Sequence, residues 1–288
     1  MTTTTAVLPP LIVLDQMLQS WLLEDIGRGD RTTQSVLAEN SVAGKAEWIA
    51  KAPGVVTGLP VAARVFQLLN ENVSFVAVMA EGELCQPGQT VAEIQGSLDA
   101  LLTGERVALN LAMHLSGIAT LTREYVKQIA DLPTQLVDTR KTTPGLRVLE
   151  KYATSVGGAV NHRMGLDDAV MIKDNHIAVA GGIDKAIARI RNCIPYPLTL
   201  EVETETINQV EEALQHGADI IMLDNMSLGM MRQAVQIIRQ HNSRIKIEAS
   251  GNITLQTIRM VAETGVDYIS SSAPITQSKW LDLSMKIA

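Results

Sequence analysis

The second half of the chain repeats one pattern six times: a short apolar run, a polar loop, then a stretch with helical spacing. The apolar runs are TQLVDT (134–139), AVMIK (169–173), LTLEVE (198–203), DIIMLD (219–224), IKIEAS (245–250) and DYIS (267–270). Between most of them lie LRVLEKYATSV, IDKAIARIRNCI, TINQVEEALQHGA, LGMMRQAVQIIRQ and TLQTIRMVAET, several stopped by a glycine at 157, 217 or 265. Runs of that length suit strands, and the three- and four-residue spacing suits amphipathic helices closed by glycine. Strands separated by helices predict parallel βαβ units. Six of them exceed one half of a dinucleotide fold and suit a (β/α) barrel.

Every run ends in polar or charged residues. In order these are Asp138-Thr139-Arg140-Lys141, Lys173-Asp174-Asn175-His176, Glu201-Val202-Glu203, Asp224-Asn225, Ser250-Gly251-Asn252 and Ser270-Ser271-Ser272. The carboxyl ends of barrel strands share one face, and that face carries the active site. A helix N-cap explains Asp224 or Ser250 alone as well as a site does; six polar ends in succession favour a shared site. Charge points the same way. From Arg140 to Lys173 six Lys/Arg stand against three acids, in a chain of net charge −7. Like charges crowded together destabilise a fold unless buried acids or a ligand offset them, so this island predicts a multiply charged anion.

The types of residue suggest what is bound. Glu201 and Glu203 are two apart on a strand and project to one side. With Asp224 they offer hard oxygen ligands of the kind Mg²⁺ takes, with water and a substrate phosphate completing the shell. For Glu201 a pairing with a buried base such as Lys173 is as good a reading. Ser250-Gly251-Asn252 reads as a short turn onto a helix N-terminus, whose free N–H groups and dipole favour phosphate. The Ser270–Ser272 run sits where barrel enzymes often bind phosphate as well. A pI near 5.3 and 3% aromatic residues argue against a nucleic-acid surface, so the anion is expected to be bound locally. Cys85 and Cys193 have no metal-type spacing and read as core residues of a cytoplasmic protein. MTTTTAVLPPLIVLDQ lacks a basic region, and no stretch reaches membrane-span length.

The first half reads differently. WLLEDIGRGDRTT (21–33) closes an amphipathic helix at Gly27 and Gly29, and WIAKAPGVVTG, VSFVAVMAEGEL and TVAEIQG alternate like an antiparallel sheet. AEGELCQPGQTVAEIQG resembles the turns of lipoyl or biotinyl carriers, but no lysine lies between Val73 and Leu102 to carry the cofactor. The segment is therefore a small packing sheet. Two helices, ALLTGERVALNLAMHL and ATLTREYVKQIA, follow on either side of Ser116-Gly117. Arg106 beside Glu105 reads as a surface or paired arginine, and His114 as a packed histidine. The core is expected to rest on Leu, Ile, Val, Ala and Met.

EDIGRGDRTT, GERVALNLAMHLSGIAT, DTRKTTPGLR, EKYA, GGAVNHRMGL, IKDNH, EVE, MLDN, SGNIT and TGVDYIS together resemble the quinolinate phosphoribosyltransferases, across nearly the whole chain. That family transfers phosphoribosyl from PRPP to quinolinate and releases CO₂ and pyrophosphate, giving nicotinate mononucleotide for NAD synthesis. The resemblance implies an α/β fold: an incomplete (β/α) barrel (117–274) with a smaller N-terminal α/β sandwich domain (1–116), onto which residues 275–288 pack back. It implies homodimers, with a hexamer built from them as the larger alternative, in which Arg106 enters the neighbouring subunit's site. There Arg140, His162 and Arg163 would clamp the two carboxylates. Lys141 and Lys173 would face pyrophosphate and substrate charge, with Thr139 beside them, and Glu203 and Asp224 would hold Mg²⁺ and PRPP. Ser250, Gly251, Asn252, Ser271 and Ser272 would hold the 5′-phosphate. Arg147 and Lys151, on the intervening helix, become solvent or packing residues. This chain departs from the family after the last strand, where Gln277 replaces a histidine. Its pyridine nitrogen makes quinolinate a nucleophile already, which accounts for a site rich in bases with no triad. Competing expectations are a related molybdenum-transport-associated phosphoribosyltransferase acting on another small base, and a non-catalytic sensor of a phosphorylated metabolite.

Overall fold

The computed structural model describes residues 6–37 and 42–288. It resolves into two compact units. One comprises residues 124–142 and 159–276, the other the chain up to 123 together with 143–158 and 277–288.

The first unit is the barrel. Its strands are Gln135–Val137, Val170–Ile172, Leu200–Thr204, Ile220–Asp224, Lys246–Ser250 and Tyr268–Ser270, all parallel. In space the first strand neighbours the sixth, followed by the fifth, fourth, third and second. That is the cyclic order of a barrel left open between Gln135–Val137 and Val170–Ile172. Val160 bridges to Val137 on the open side. Leu200, Val202, Ile221, Leu223, Ile247, Ala249 and Ile269 are buried, as parallel strands covered on both faces require. The helices Ile207–Gln215 and Leu228–His241 start where a side chain can accept an early N–H: Thr206 from Gln209 and Ser227 from Met230, both at 3.3 Å. The run after Val170–Ile172 is not a loop. A helix begins at Asp174, and the Lys173 N–H donates to His176 Nδ1 at 3.0 Å, so His176 is a cap. The turn onto a helix expected at Ser250-Gly251-Asn252 is also absent, because the next helix, Ile258–Ala262, starts only after a Thr254–Thr257 turn.

In the second unit, strands Leu283–Ile287, Ala43–Ala50, Thr90–Ser97 and Ser74–Ala77 form an antiparallel sheet in that order. Its core contradicts the purely aliphatic expectation: Trp48, Phe66 and Phe75 meet with ring centroids 5.5 to 6.3 Å apart. Each fully buried ring is worth roughly 2–3 kcal/mol against exposure, which compensates for the small sheet area. Helix Leu59–Leu69 carries no acidic or hydroxyl cap of its own. The carboxylate of Glu81 accepts the Gly58 and Leu59 N–H groups at 2.9 Å each, and Tyr152 donates to it at 2.7 Å.

Ser116-Gly117 does not separate two helices; one helix runs Leu98–Gln128. Ser116 is fully buried and its hydroxyl ties to both the N–H and the carbonyl of Thr57. A Cβ on Gly117 would lie 2.1 Å from the Lys279 carbonyl oxygen. The glycine therefore serves close backbone approach rather than helix termination. Helix Arg147–Gly157, whose pattern suggests a barrel helix, is in this unit. Lys151 is fully buried there, which excludes the solvent reading for it. Among the described residues no helix is long and apolar enough to cross a membrane.

Candidate functional site

The strand ends of the barrel unit surround a cavity of about 500 Å³. Its wall follows the chain order of the loops. Thr139, Arg140 and Lys141 come after the first strand, His162 and Arg163 from the stretch before the second, and Lys173 after it. Glu203 and Asp224 end the middle strands, and Ser250, Gly251 and Asn252 close the far side. The basic island is thus three separate contributions brought to one wall by parallel strands.

Two guanidinium groups dominate the basic side. Burial, and then the charge of Arg140, lower the pKa of Arg163. Arg163 is steadied by the Ala169 carbonyl at 3.0 Å, and Arg140 Nε is buried without a hydrogen-bond partner. Two adjacent, partly desolvated cations with donors to spare need an anion. The loops that carry them are joined by Asp138, 2% exposed, whose carboxylate accepts the His162 N–H at 2.9 Å and the Asn161 amide at 2.7 Å.

Lys173 pairs with Glu203 at 2.6 Å and not with Glu201. The base beside Glu201 is His162, whose Nε2 lies 3.2 Å from Glu201 and 3.5 Å from Glu248. His162 Nδ1 accepts the Arg163 backbone N–H at 2.7 Å, so the neutral ring must carry its proton on Nε2, toward the acids. Among the described residues these three make the one group of potential metal-binding side chains with ligand atoms within 4.8 Å of one another. A protonated Nε2 has no lone pair for a metal, which excludes the histidine as a ligand in this arrangement. Glu248 was missed in the sequence, although IKIEAS holds it two residues before Ser250, on the same side of a buried strand. Burial first, and Glu201 second, push its carboxyl up to about 8. The Oε1 atoms of Glu201 and Glu248 are both buried and lack partners.

At the far end, two loops interlock. Asn225 and Asn252 adopt positive φ of 52° and 53°, and Gly251 lies between at 99°. The Asn252 amide donates to Asn225 Oδ1 at 3.2 Å, the Asn225 N–H to the Ser250 carbonyl at 3.0 Å, and the Asn225 amide to Asp224 at 2.8 Å. A Cβ at residue 251 would meet Asn225 Oδ1 at 2.2 Å. Asn and Gly are the residues that tolerate this backbone.

Four of the residues singled out in the sequence do not line this cavity. Ser271 is buried; its hydroxyl donates to the Ile253 carbonyl and accepts the Ala273 N–H, so it shapes the turn before Ala273–Thr276. Ser272 is half-buried beside it, and Gln277 is exposed outside the cavity. Arg106 belongs to the other unit, in a recess of about 450 Å³ that also holds Asn110 and His114, one and two turns along the same helix. Its side chain is 60% exposed and its acidic neighbour, Glu105, stands 3.9 Å away. His114 is packed, as expected, against Trp280 and bonded to the fully buried Glu150 at 2.9 Å.

Residues 118–286 match the family Quinolinate phosphoribosyl transferase, C-terminal domain, and residues 30–116 match its N-terminal domain. The chain is 59% identical over 280 residues to a probable nicotinate-nucleotide pyrophosphorylase [carboxylating] of Synechocystis, covering 97% of this chain and 94% of that one. Its identity to the Bacillus subtilis protein of the same description is 45%, over 95% and 93% of the two chains. The crystal structure of NadC from Streptococcus pyogenes superposes with a TM-score of 0.92 at 43% identity, covering 99% of each chain. An open six-stranded barrel with a cationic wall, an acidic middle and a glycine-asparagine floor, matched over nearly its full length in sequence and fold, places this chain in the quinolinate phosphoribosyltransferase family.

Proposed function

We infer that the chain transfers phosphoribosyl from PRPP to quinolinate with loss of CO₂, giving nicotinate mononucleotide and pyrophosphate. The observation that carries this reading is the cavity's polarity. Its lining combines three groups: the adjacent guanidiniums of Arg140 and Arg163, the carboxylates Glu203 and Asp224, and the interlocked Ser250–Asn252 loop. A planar dicarboxylate suits the first, because each guanidinium can engage a carboxylate with two parallel hydrogen bonds. A pentose with charge developing at C1′ suits the second, and a 5′-phosphate the third.

Glu203 and Asp224 fit Mg²⁺: they are hard oxygen donors at the ends of neighbouring strands, and both face the cavity. Bound there, the ion would neutralise the pyrophosphate leaving group. The chain's own contribution is to hold the ring nitrogen against C1′, to place carboxylate charge beside the forming cation, and to offer Lys141 and Lys173 to the departing phosphates. Thr139 accepts the Lys141 backbone N–H at 3.0 Å and fixes that loop. The guanidinium of Arg106, 60% exposed and 3.9 Å from its acidic neighbour Glu105, supports its delivery to a second subunit's cavity in a homodimer. Ser271 and Ser272 support the phosphate loop through the turn they build.

The test is pyrophosphate and CO₂ release from PRPP plus quinolinate. Failure to release both refutes the reading, and release with nicotinate in place of quinolinate refutes the dicarboxylate clamp. Mixing Arg106→Ala with Arg140→Ala tests the shared site: activity must return in the mixture, since one cavity of each mixed dimer regains both arginines.

A further inference from the structure

The reaction ends with a ring carbon that has lost CO₂ and needs a proton, and the cavity contains a buried acid that the steps above do not use. The groups able to supply the proton are few. The arginines do not release theirs. The Lys173 ammonium pairs with Glu203 at 2.6 Å and is assigned above to the departing phosphates, and Lys141 is exposed at the rim. His162 turns its Nε2–H toward Glu201 and Glu248. That leaves Glu248, 4% exposed, on the cavity wall, with Oε1 buried and unpartnered by the protein.

The neighbours of Glu248 explain why it can carry a proton. Glu201, two strands away in the sheet, opposes its ionisation, while His162, Lys173 and the Ser270 hydroxyl favour it, and burial outweighs these. An ionised carboxylate on this wall would repel a dianionic substrate at close range, whereas a neutral carboxyl can donate to it. Glu201 has the other character: it lies behind the wall, does not line the cavity and holds the His162 N–H.

We propose that Glu248 is the general acid that protonates C2 of the pyridine ring after decarboxylation. This inference rests on the reaction assigned above. The bond between C2 and the carboxyl carbon breaks heterolytically, CO₂ leaves, and the electron pair stays on C2 beside the quaternary nitrogen. The Glu248 O–H bond then breaks, its proton forms the new C2–H bond, and the resulting carboxylate takes a proton from water before the next turnover. Without the donor, the carbanion recaptures CO₂ and the carboxylated mononucleotide persists.

The experiment is a single-turnover comparison of the parent with Glu248→Gln, which keeps shape but cannot donate a carboxyl proton, following pyrophosphate and nicotinate mononucleotide separately. The pyrophosphate burst should survive, while nicotinate mononucleotide formation slows about 100-fold, the usual worth of a general acid. Carboxylated mononucleotide should accumulate in the quench. Where Glu248→Gln does not fold, Glu248→Asp, which withdraws the acid by one methylene, should show the same separation in milder form. Product formation within about twofold of the parent overturns the proposal. So does an equal fall in both products with a raised quinolinate KM, which marks Glu248 as a positioning residue. A parent that makes neither product refutes the assigned reaction instead, so the two failures are distinguishable.

Discussion

Gly251→Ala is the sharpest probe of the cavity's phosphate end. Glycine is needed there twice over: its φ is +99°, and a Cβ would sit 2.2 Å from Asn225 Oδ1 and 2.9 Å from the Asn225 backbone nitrogen. The side-chain clash could be relieved by a rotation of Asn225, but the clash with its backbone could not. Holding an L-residue in a left-handed conformation costs about 1–2 kcal/mol. Pushing Asn225 away removes its bond from Asn252 at 3.2 Å and its own bond to the Ser250 carbonyl at 3.0 Å, about 1 kcal/mol each. The total is roughly 3 kcal/mol, which corresponds to a fall of roughly 10 °C in the melting temperature of the barrel unit. Catalysis should separate by substrate. The PRPP KM should rise about tenfold or more, since a displaced loop forfeits at least one charge-assisted hydrogen bond. The quinolinate KM should change little, because Arg140 follows another strand and Arg163 lies in the stretch before Val170–Ile172. Thermal melting and initial-rate kinetics with each substrate varied give both numbers. A variant that melts within about 2 °C of the parent with an unchanged PRPP KM refutes the reasoning.

Removing the clamp has the opposite signature: Arg163→Ala should raise the quinolinate KM about 10- to 100-fold and leave the PRPP KM nearly constant, as read by the same kinetics. Glu203→Gln frees Lys173 from its 2.6 Å partner and removes one hard ligand, so calorimetric titration should show weaker Mg²⁺ binding with PRPP, and kcat should fall. Stability should also report Glu248. Its folded pKa, about 8, lies above the ordinary 4.5, so the folded state binds the extra proton between these values and the unfolded state does not. Stability must therefore fall as pH rises from about 4.5 to about 8 and level off above, and Glu248→Gln should flatten that limb in denaturant titrations. Gly117→Ala places a Cβ 2.1 Å from the Lys279 carbonyl and should lower the melting temperature while making the 277–288 segment more susceptible to limited proteolysis.

How much was legible in the sequence can be judged element by element. All six barrel strands and their polar ends follow from local periodicity and turn chemistry, because a strand covered on both faces must be apolar and a strand entering a site must end in something polar. Glu203, Asp224 and Arg140 were readable for that reason, and the motif set identified the family and with it Arg163. The failures have one cause. Ser116-Gly117 looks like a break because the sequence does not show that Lys279 presses against Gly117. Lys151 stays undecided between solvent and packing in the sequence, because helical spacing alone does not tell which packed unit a helix joins; the structure buries it. The partner of Glu201 is His162 rather than Lys173, and Glu248 is a cavity residue rather than one more strand position; both depend on which strands stand side by side.

By itself, then, the sequence determined the repeating strand and helix units, the sign of the charge at each strand end and the family. Tertiary structure alone decided which charges touch: Lys173 on Glu203, the His162 proton turned toward the buried acids Glu201 and Glu248, and the carboxyl of Glu248 pushed up by burial and by Glu201. The physical reason is that backbone conformation and amphipathicity are set by neighbours in the chain. Pairing and desolvation of ionisable groups are set by neighbours in space, which the barrel supplies from strands tens of residues apart.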